Sequence, residues 1–513
     1  MADIILLTTN SKQENYSITA TKFAALPPNI PLLITEAFLS SKGYKVKIID
    51  TETYPKKNRD VISIINQSDA KVVGVVCSGS NPSASTMSMV GVIKFFQDLK
   101  DIDHEFLTFV SGGHPTVLPE RTLRELGSDF VVLGEGYQAM CDIIEYSKNK
   151  IKKKEISSVA YLDNGKFYST EINELADITQ LPMINWQKVN VKDYRAHNWH
   201  CFGKDINNRS PYAIIWTNQG CPYPCNFCSI NNIFGKRRYR LRDMEDVVSE
   251  IDVLYNNFGI RNLKILDELF VFKNPRLDKF CDLLDERGYD LNMWCFARTD
   301  TVTPEILKRL KKVGVNWVAY GFESFNNSIL ETTKKKNKAD VLKTIKWTKD
   351  ADINICADVI AGLWDDTKET IHHTRDFMIE NEFEWVNVYP AFGYPGTPLY
   401  KEYISKKIIS EPKSWDIYGL YSKKCNPLPT KYLSSAEVLM ERDKMFHDYY
   451  HNEKILKMIE KRFGNETLNH VVEMVNQPLD REIFSYNKNV TPAGGLESNN
   501  IIVPEEKYQP LTV

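Results

Sequence analysis

No stretch of the chain approaches the roughly 18 consecutive apolar residues that a membrane-spanning helix needs, so no membrane span is expected. The first residues, Met1-Ala-Asp-Ile-Ile-Leu-Leu7, lack a basic region ahead of their apolar run and read as a buried strand, not an export signal. Net charge is missing too. Sixty-five Lys and Arg against 67 Asp and Glu leave −2, which gives the whole molecule no electrostatic reason to bind nucleic acid or anionic membrane. The basic runs 150–154 and 334–338 read as solvated surface. The ten cysteines are unevenly spaced, which fits a reducing, cytoplasmic compartment rather than a disulfide framework. At 513 residues, with 42% hydrophobic and 26% charged content, the chain is long enough for two or three domains with large cores.

Three of the cysteines lie within eight residues, Cys221-Pro-Tyr-Pro-Cys225-Asn-Phe-Cys228. They follow a strand-like stretch, 213–217, and Gly220 supplies a flexible entry. Pro222 and Pro224 make the run a loop, because each lacks an N–H and restricts its predecessor to extended backbone. Three thiolates facing one point suit a soft metal centre such as an iron–sulfur cluster. Structural zinc would want a second CxxC or Cys/His pair, and the next cysteine is Cys281. A four-iron cluster on three cysteines keeps one iron open to a ligand from outside the protein.

Around this loop, residues 211–400 alternate apolar strands with amphipathic helices. Strands are expected at 213–217, 263–266, 292–298, 317–322, 353–360 and 385–389. Six β/α steps predict a partial TIM barrel, whose chemistry sits at the carboxyl ends of its strands. Residues 1–145 show a first alternation, with strands at 4–8, 44–50, 72–77, 106–111 and 130–133. Near-continuous apolar strands between helices imply a doubly wound, Rossmann-like parallel sheet covered on both faces. Its ligand loops would include Ser78-Gly-Ser80-Asn81, Gly112-Gly113-His114 and Gly134-Glu135-Gly136. Residues 146–210 read as a connector with a hairpin at 159–169, turned by Asp163-Asn-Gly165. Residues 401–513 read as mainly helical, with an irregular tail after Ser485.

The cysteine spacing resembles that of the radical SAM superfamily. Trp294-Cys-Phe-Ala-Arg298, Gly321-Phe-Glu-Ser324, Ile360-Ala-Gly-Leu363 and Tyr394-Pro-Gly-Thr-Pro398 extend the resemblance over the second segment. The first segment resembles the cobalamin-binding domain that precedes many radical SAM domains, through 26–33, Gly112-Gly-His-Pro-Thr-Val-Leu-Pro119 and Asp129-Phe-Val-Val-Leu-Gly-Glu-Gly136. The DxHxxG motif of other cobalamin enzymes is absent, which argues against a cobalt held by His from below.

The resemblance implies a 4Fe-4S cluster on Cys221, Cys225 and Cys228, with S-adenosylmethionine (SAM) on its open iron. It implies SAM contacts from Phe227, Asp267, Glu268, Glu323, Ser324, Ile360 and Gly362, although the glycines of the family's GGE phrase are missing before Glu268. Arg298 and Glu323 are candidate catalytic residues, with an Arg298–Glu323 ion pair as the plain structural reading. The cobalamin contacts would come from the three front-domain loops, with His114 as a candidate cobalt ligand or a loop-packing residue. His197 and His200 have the i, i+3 spacing of a metal pair but no further ligand nearby. Trp415, Tyr418 and Tyr421 are candidate walls of a substrate mouth. The implied activity is methyl transfer to an unactivated carbon of a small molecule through a 5′-deoxyadenosyl radical, with flavodoxin or ferredoxin as electron donor. A ring-closing enzyme similar to the anaerobic porphyrin-ring cyclases, or a cluster-bearing binding or regulatory protein without turnover, would carry the same motifs.

Overall fold

Seven strands form the front sheet: β1 (Ile4–Thr8), β2 (Val46–Asp50), β3 (Val72–Val76), β4 (Leu107–Ser111), β5 (Phe130–Val132), β6 (Val159–Asp163) and β7 (Lys166–Ser169). The computed structural model describes residues 2–16, 20–54, 57–79, 81–173, 175–335 and 340–485; Ser80 and the tail after Ser485 lie outside them. The strand order is β2-β1-β3-β4-β5-β6-β7. The first five strands are parallel, and β1 and β3 are buried at every position, as a sheet with helices on both faces requires. β1 pairs with both β2 and β3. Chain direction across the sheet therefore reverses between β1 and β3, and ligands of such sheets bind outside the carboxyl ends at that switch point.

The hairpin expected in the connector instead completes this sheet. β6 pairs antiparallel with β5, and β7 with β6. Asn164 and Gly165 both have positive φ (48° and 78°), the geometry of a two-residue turn whose twist matches its strands.

The second sheet holds six parallel strands: β8 (Tyr212–Ile215), β9 (Asn262–Ile265), β10 (Asn292–Ala297), β11 (Val315–Glu323), β12 (Asn354–Ala361) and β13 (Trp385–Pro390). They run in chain order from β8 to β13, each pair joined through a helix, which makes the (β/α)6 partial barrel. Side-chain caps start these helices. Asn274, Thr303, Asp340 and Thr367 each accept from a backbone N–H of the first turn, satisfying donors that a helix leaves unpaired.

An open barrel leaves unpaired backbone on its edge strands. The helix Ser435–Tyr450 covers that of β13. The Val386 N–H donates to Tyr450 Oη (2.9 Å), Tyr450 Oη donates to the Val386 carbonyl (3.2 Å), and Arg442 Nε donates to the Val388 carbonyl (2.6 Å). Helices Glu453–Phe463 and Asn465–Val475 follow, so the carboxyl region is mainly helical. Among the described residues no helix is long and apolar enough to cross a membrane.

Candidate active site

The carboxyl ends of both sheets open on one cavity of about 4360 Å³. From the front domain it is lined by Asn15 and Tyr16, after β1, and by Asn81, Ser83 and Met87, after β3. These are the two loops of the switch point. From the barrel come the three thiols and the inward-facing residues of β9 to β13. Ser410 to Tyr432 and the helix Ser435–Tyr450 contribute the outer wall.

The cysteine loop is fixed by its backbone. Asn226 N–H donates to the Thr333 carbonyl (3.1 Å), its Nδ2 donates to the Thr332 carbonyl (3.2 Å), and the Leu399 N–H donates to the Asn226 carbonyl (3.0 Å). The Phe227 ring packs on an apolar cluster that includes Ile329, Leu363 and Leu399. Gly220 enters the loop at φ 88°, and a Cβ there would sit 2.4 Å from the Arg238 carbonyl oxygen. All three thiols are partly exposed. Burial raises their pKa values, that of Cys228 to about 12, and only a nearby cation would reverse this and deprotonate them.

No three His, Cys, Asp or Glu side chains among the described residues are arranged around a single metal ion. A single ion needs its ligand atoms about 2.0–2.3 Å from one point. A cluster takes each thiolate on a different iron, and three thiols on one loop, opening on one cavity, fit it. His197 and His200 do not converge either. His200 Nε2 is bonded to the Asn292 carbonyl (2.9 Å), whereas His197 packs beside Trp199 and Trp294 on the cavity wall.

Charged side chains fill the barrel mouth. Glu323 ends β11 at φ 63°, where β11 slips register against β12. A non-glycine residue held there is unusual and points to function. Its carboxylate accepts from Lys335 Nζ (2.5 Å), which also donates to the Gly321 carbonyl (2.5 Å). Arg298 does not pair with Glu323. Its guanidinium forks onto Asp300 with two 2.8 Å bonds and lies 3.9 Å over the Tyr223 ring of the cysteine loop.

Deeper in the barrel, Lys264 lies 4.6 Å from the Trp294 ring centroid and is 3% exposed. Burial pushes its pKa down to about 7, while burial pushes the carboxyls of Glu268 and Asp358 up to about 7. Asn387 Nδ2 donates to Asp358 Oδ1 (2.8 Å), and Trp385 Nε1 donates to Asn387 Oδ1 (2.8 Å), so the Asp358 carboxylate is held in orientation. Perturbed groups clustered in a cleft mark a functional site. Lys264, Asp358 and Asn387 escaped sequence reasoning. The available signal was period 2: a lysine inside the strand Asn262-Leu-Lys-Ile265 and an aspartate inside Asn354–Ala361 both point inward.

Several residues expected at the cofactors lie elsewhere. Asp267 is 1% exposed and accepts from Thr217 N–H (2.7 Å), Thr217 Oγ1 (2.5 Å), Asn218 N–H (3.1 Å) and Asn218 Nδ2 (2.8 Å). Its oxygens are saturated by the segment entering the cysteine loop, and its neighbour Glu268, pointing the other way, lines the cavity. Asp267→Ala is expected to destabilise the fold by about 3 kcal/mol by leaving buried donors unpaired, read as a lower denaturation midpoint before any cofactor is added.

Ser324 is 3% exposed, close to Thr374 Oγ1 (3.4 Å) and accepting from the Asn326 N–H (3.2 Å); it is a turn residue. Gly362, at φ 93°, is a packing residue. A Cβ there would meet Val438 at 2.3 Å. Phe227, Glu268, Arg298, Glu323 and Ile360 do line the cavity.

In the front domain the loops after β4 and β5 lie beyond the switch point and face the barrel. Gly112, at φ 135°, lets its loop pass the Cys77 carbonyl, 2.1 Å from where a Cβ would be. Gly113 and Gly134 approach Ile233 of the helix Asn231–Phe234, which follows Cys228, while Gly136, at φ 57°, packs on Val132. The Ser78 carbonyl accepts from Asn29 Nδ2 (3.0 Å), and Asn81 caps the next helix while lining the cavity.

His114 is 1% exposed, 3.2 Å from Thr86 Oγ1 and edge-on to Trp415. Burial, then Arg121, lowers its pKa to about 3. It packs against the carboxyl region and is not on the cavity wall, so it is not placed to ligate a cobalt there. Tyr418 and Tyr421 line the cavity, whereas Trp415 is buried at 1% exposure beside His114 and Arg121.

Comparison with known proteins agrees with this architecture. Residues 217–378 match the radical SAM superfamily and residues 16–144 match the B12 binding domain. The chain is 25% identical over 426 residues to an uncharacterized methyltransferase of Pyrococcus horikoshii, covering 82% of this chain and 88% of that protein. It is 27% identical over 306 residues to the anaerobic magnesium-protoporphyrin IX monomethyl ester cyclase of Cereibacter sphaeroides, covering 58% of this chain and 48% of that one. Its fold is similar to that of OxsB, a cobalamin-dependent S-adenosylmethionine radical enzyme solved with aqua-cobalamin and S-adenosylmethionine bound. The TM-score is 0.68 at 15% identity, with 92% of this chain and 72% of that chain covered.

Proposed function

Because the chain belongs to the radical SAM enzymes that carry a B12-binding domain, we propose that it transfers a methyl group to an unactivated carbon of a small molecule. The observation that carries this reading is the shared cavity: the cysteine loop and the switch-point loops of the front sheet line the same space. When bound, the cluster with SAM supplies a carbon-centred radical, and cobalamin supplies a methyl group.

The protein's own residues bind, orient and shield. Cys221, Cys225 and Cys228 would hold the cluster. Glu268 and Glu323, the acidic groups on the wall beside the loop, would receive the ammonium end of SAM, and Phe227 with Ile360 would give its adenine an apolar bed. Asn15, Tyr16, Asn81, Ser83 and Met87 would face the corrin. Lys264, Asp358 and Asn387 would meet the substrate on the barrel floor. The outer wall would keep water away from the reacting carbon. A flavodoxin- or ferredoxin-class donor and a cytoplasmic setting belong to the same reading.

The test is cofactor content and products after anaerobic preparation with cobalamin supplied. About four irons and one cobalamin per chain are expected, with S-adenosylhomocysteine formed alongside 5′-deoxyadenosine. Deoxyadenosine alone, with both cofactors present, would favour the ring-closing reading that the cyclase relative supports. Iron without cobalamin would sink methyl transfer.

A further inference from the structure

Two buried side chains cross from the front domain to the strand that enters the cysteine loop. Glu135 sits between Gly134 and Gly136, whose φ angles of 64° and 57° turn its side chain out of the β5 loop. Arg240 lies in a two-residue antiparallel ribbon, Arg240–Leu241 with Asn218–Gln219. Its partner across the ribbon, Gln219, stands two residues before Cys221.

The guanidinium forks onto both Glu135 oxygens, with Nη1 3.0 Å from Oε2 and Nη2 on Oε1. It also donates to the Ala176 carbonyl (2.8 Å) and to Gln219 Oε1 (2.7 Å), and lies over the Phe234 ring. Glu135 Oε2 accepts in addition from the Ala176 N–H (3.0 Å). The two side chains are 6% and 11% exposed. A forked, buried pair with its remaining positions filled fixes geometry in two directions, which a lysine or a neutral amide would not.

We propose that Glu135 and Arg240 form a positioning clamp that sets the front domain's edge against the entrance of the cysteine loop. The clamp does not touch the reacting atoms. It rests on the two-cofactor reading above, since its purpose is to hold the two halves of one cavity in register. It also gives Glu135 a different role from the cobalamin contact expected from its glycine-flanked loop.

The test uses the full chain with Glu135→Gln and Arg240→Lys, and Glu384→Gln as control. Glu384, 4% exposed, pairs with Arg462 (3.6 Å) and accepts from the Ile355 N–H (2.8 Å) at the amino ends of β12 and β13, away from both loops. In unloaded protein, hydrogen exchange in peptides covering Gln219 and Arg240 is expected to rise about tenfold in the two clamp variants and not in the control. In protein loaded with cluster and cobalamin, given SAM and titanium(III) citrate, the ratio of S-adenosylhomocysteine to 5′-deoxyadenosine is expected to fall about tenfold while total SAM consumption stays within about twofold. Unchanged exchange, or an unchanged product ratio, overturns the clamp. The control losing the ratio equally would make the pair an ordinary stabilising contact and overturn it too. A wild type with full cofactors that yields no S-adenosylhomocysteine sinks methyl transfer instead, and the exchange result then decides the clamp alone.

Discussion

Cys225→Ala is expected to yield no 5′-deoxyadenosine above a protein-free control, to hold less iron than the wild type, and to keep its cobalamin. The loss follows from the loop's chemistry. Three thiolates hold three irons of a four-iron cluster and leave the fourth open, and alanine offers no ligand to the iron that Cys225 would hold. The retained fold follows from the loop's anchoring. Its hydrogen bonds run through the Asn226 backbone and side chain to Thr332, Thr333 and Leu399, and its apolar contact is made by Phe227. None of these uses the Cys225 side chain. The cores of both sheets lie elsewhere, in strands such as Ile4–Thr8 and Val315–Glu323. Far-ultraviolet circular dichroism, iron content and cobalamin absorbance on one anaerobic preparation separate the outcomes. Cleavage surviving in Cys225→Ala would remove the cluster assignment, and loss of the fold would show that the thiol is structural.

The alternation of strands and helices was legible because buried parallel strands must be apolar along their length. Ile4–Thr8 and Val72–Val76 announce themselves in that way. Strand ends moved by a residue or two, as from the expected 317–322 to Val315–Glu323. Strand order was not legible. Nothing local to Gly112-Gly-His114 or Gly134-Glu-Gly136 says that β1, not β4 or β5, borders the switch point. That is set by which strands pair at long range. Glycine-rich loops invite a ligand reading, but here their freedom serves close approach to Cys77, Ile233 and Val132.

Adjacent acids show the same limit. Asp267 and Glu268 are equivalent as text, yet the bend that follows β9 sends one into four hydrogen bonds and the other into the cavity. A lysine in a strand can be written off as an edge or a surface position until the barrel closes around it.

Lys264 therefore carries the most informative substitution in the barrel. Lys264→Met keeps the length and apolar contacts of the side chain and removes its charge. The lysine pKa is lowered from 10.5 to about 7 by burial. The unfolded chain thus binds this proton up to about pH 10.5, whereas the folded chain releases it above about pH 7. Stability from this group rises with pH across that window, because there the unfolded state holds more protons. Its cost is present in full below pH 7. One pKa unit is worth about 1.4 kcal/mol, so a shift of this size costs several kcal/mol. Lys264→Met is expected to raise the melting temperature of the unloaded protein at pH 7 by roughly 2 °C or more, and to flatten its rise between pH 7 and 10.

Activity should move the opposite way. Without the cation, Glu268 and Asp358 lose the positive charge that acts on both. Both carboxyls then hold a proton more readily, so Glu268 receives the ammonium end of SAM less well, and 5′-deoxyadenosine formation should fall roughly 30-fold. A variant that is more stable and less active is the signature of a charge kept for function against the interests of the fold. A Lys264→Met protein that loses stability, or gains it while cleaving SAM at the wild-type rate, would assign the lysine to packing over Trp294 and Phe296 and leave the barrel floor without its proposed role.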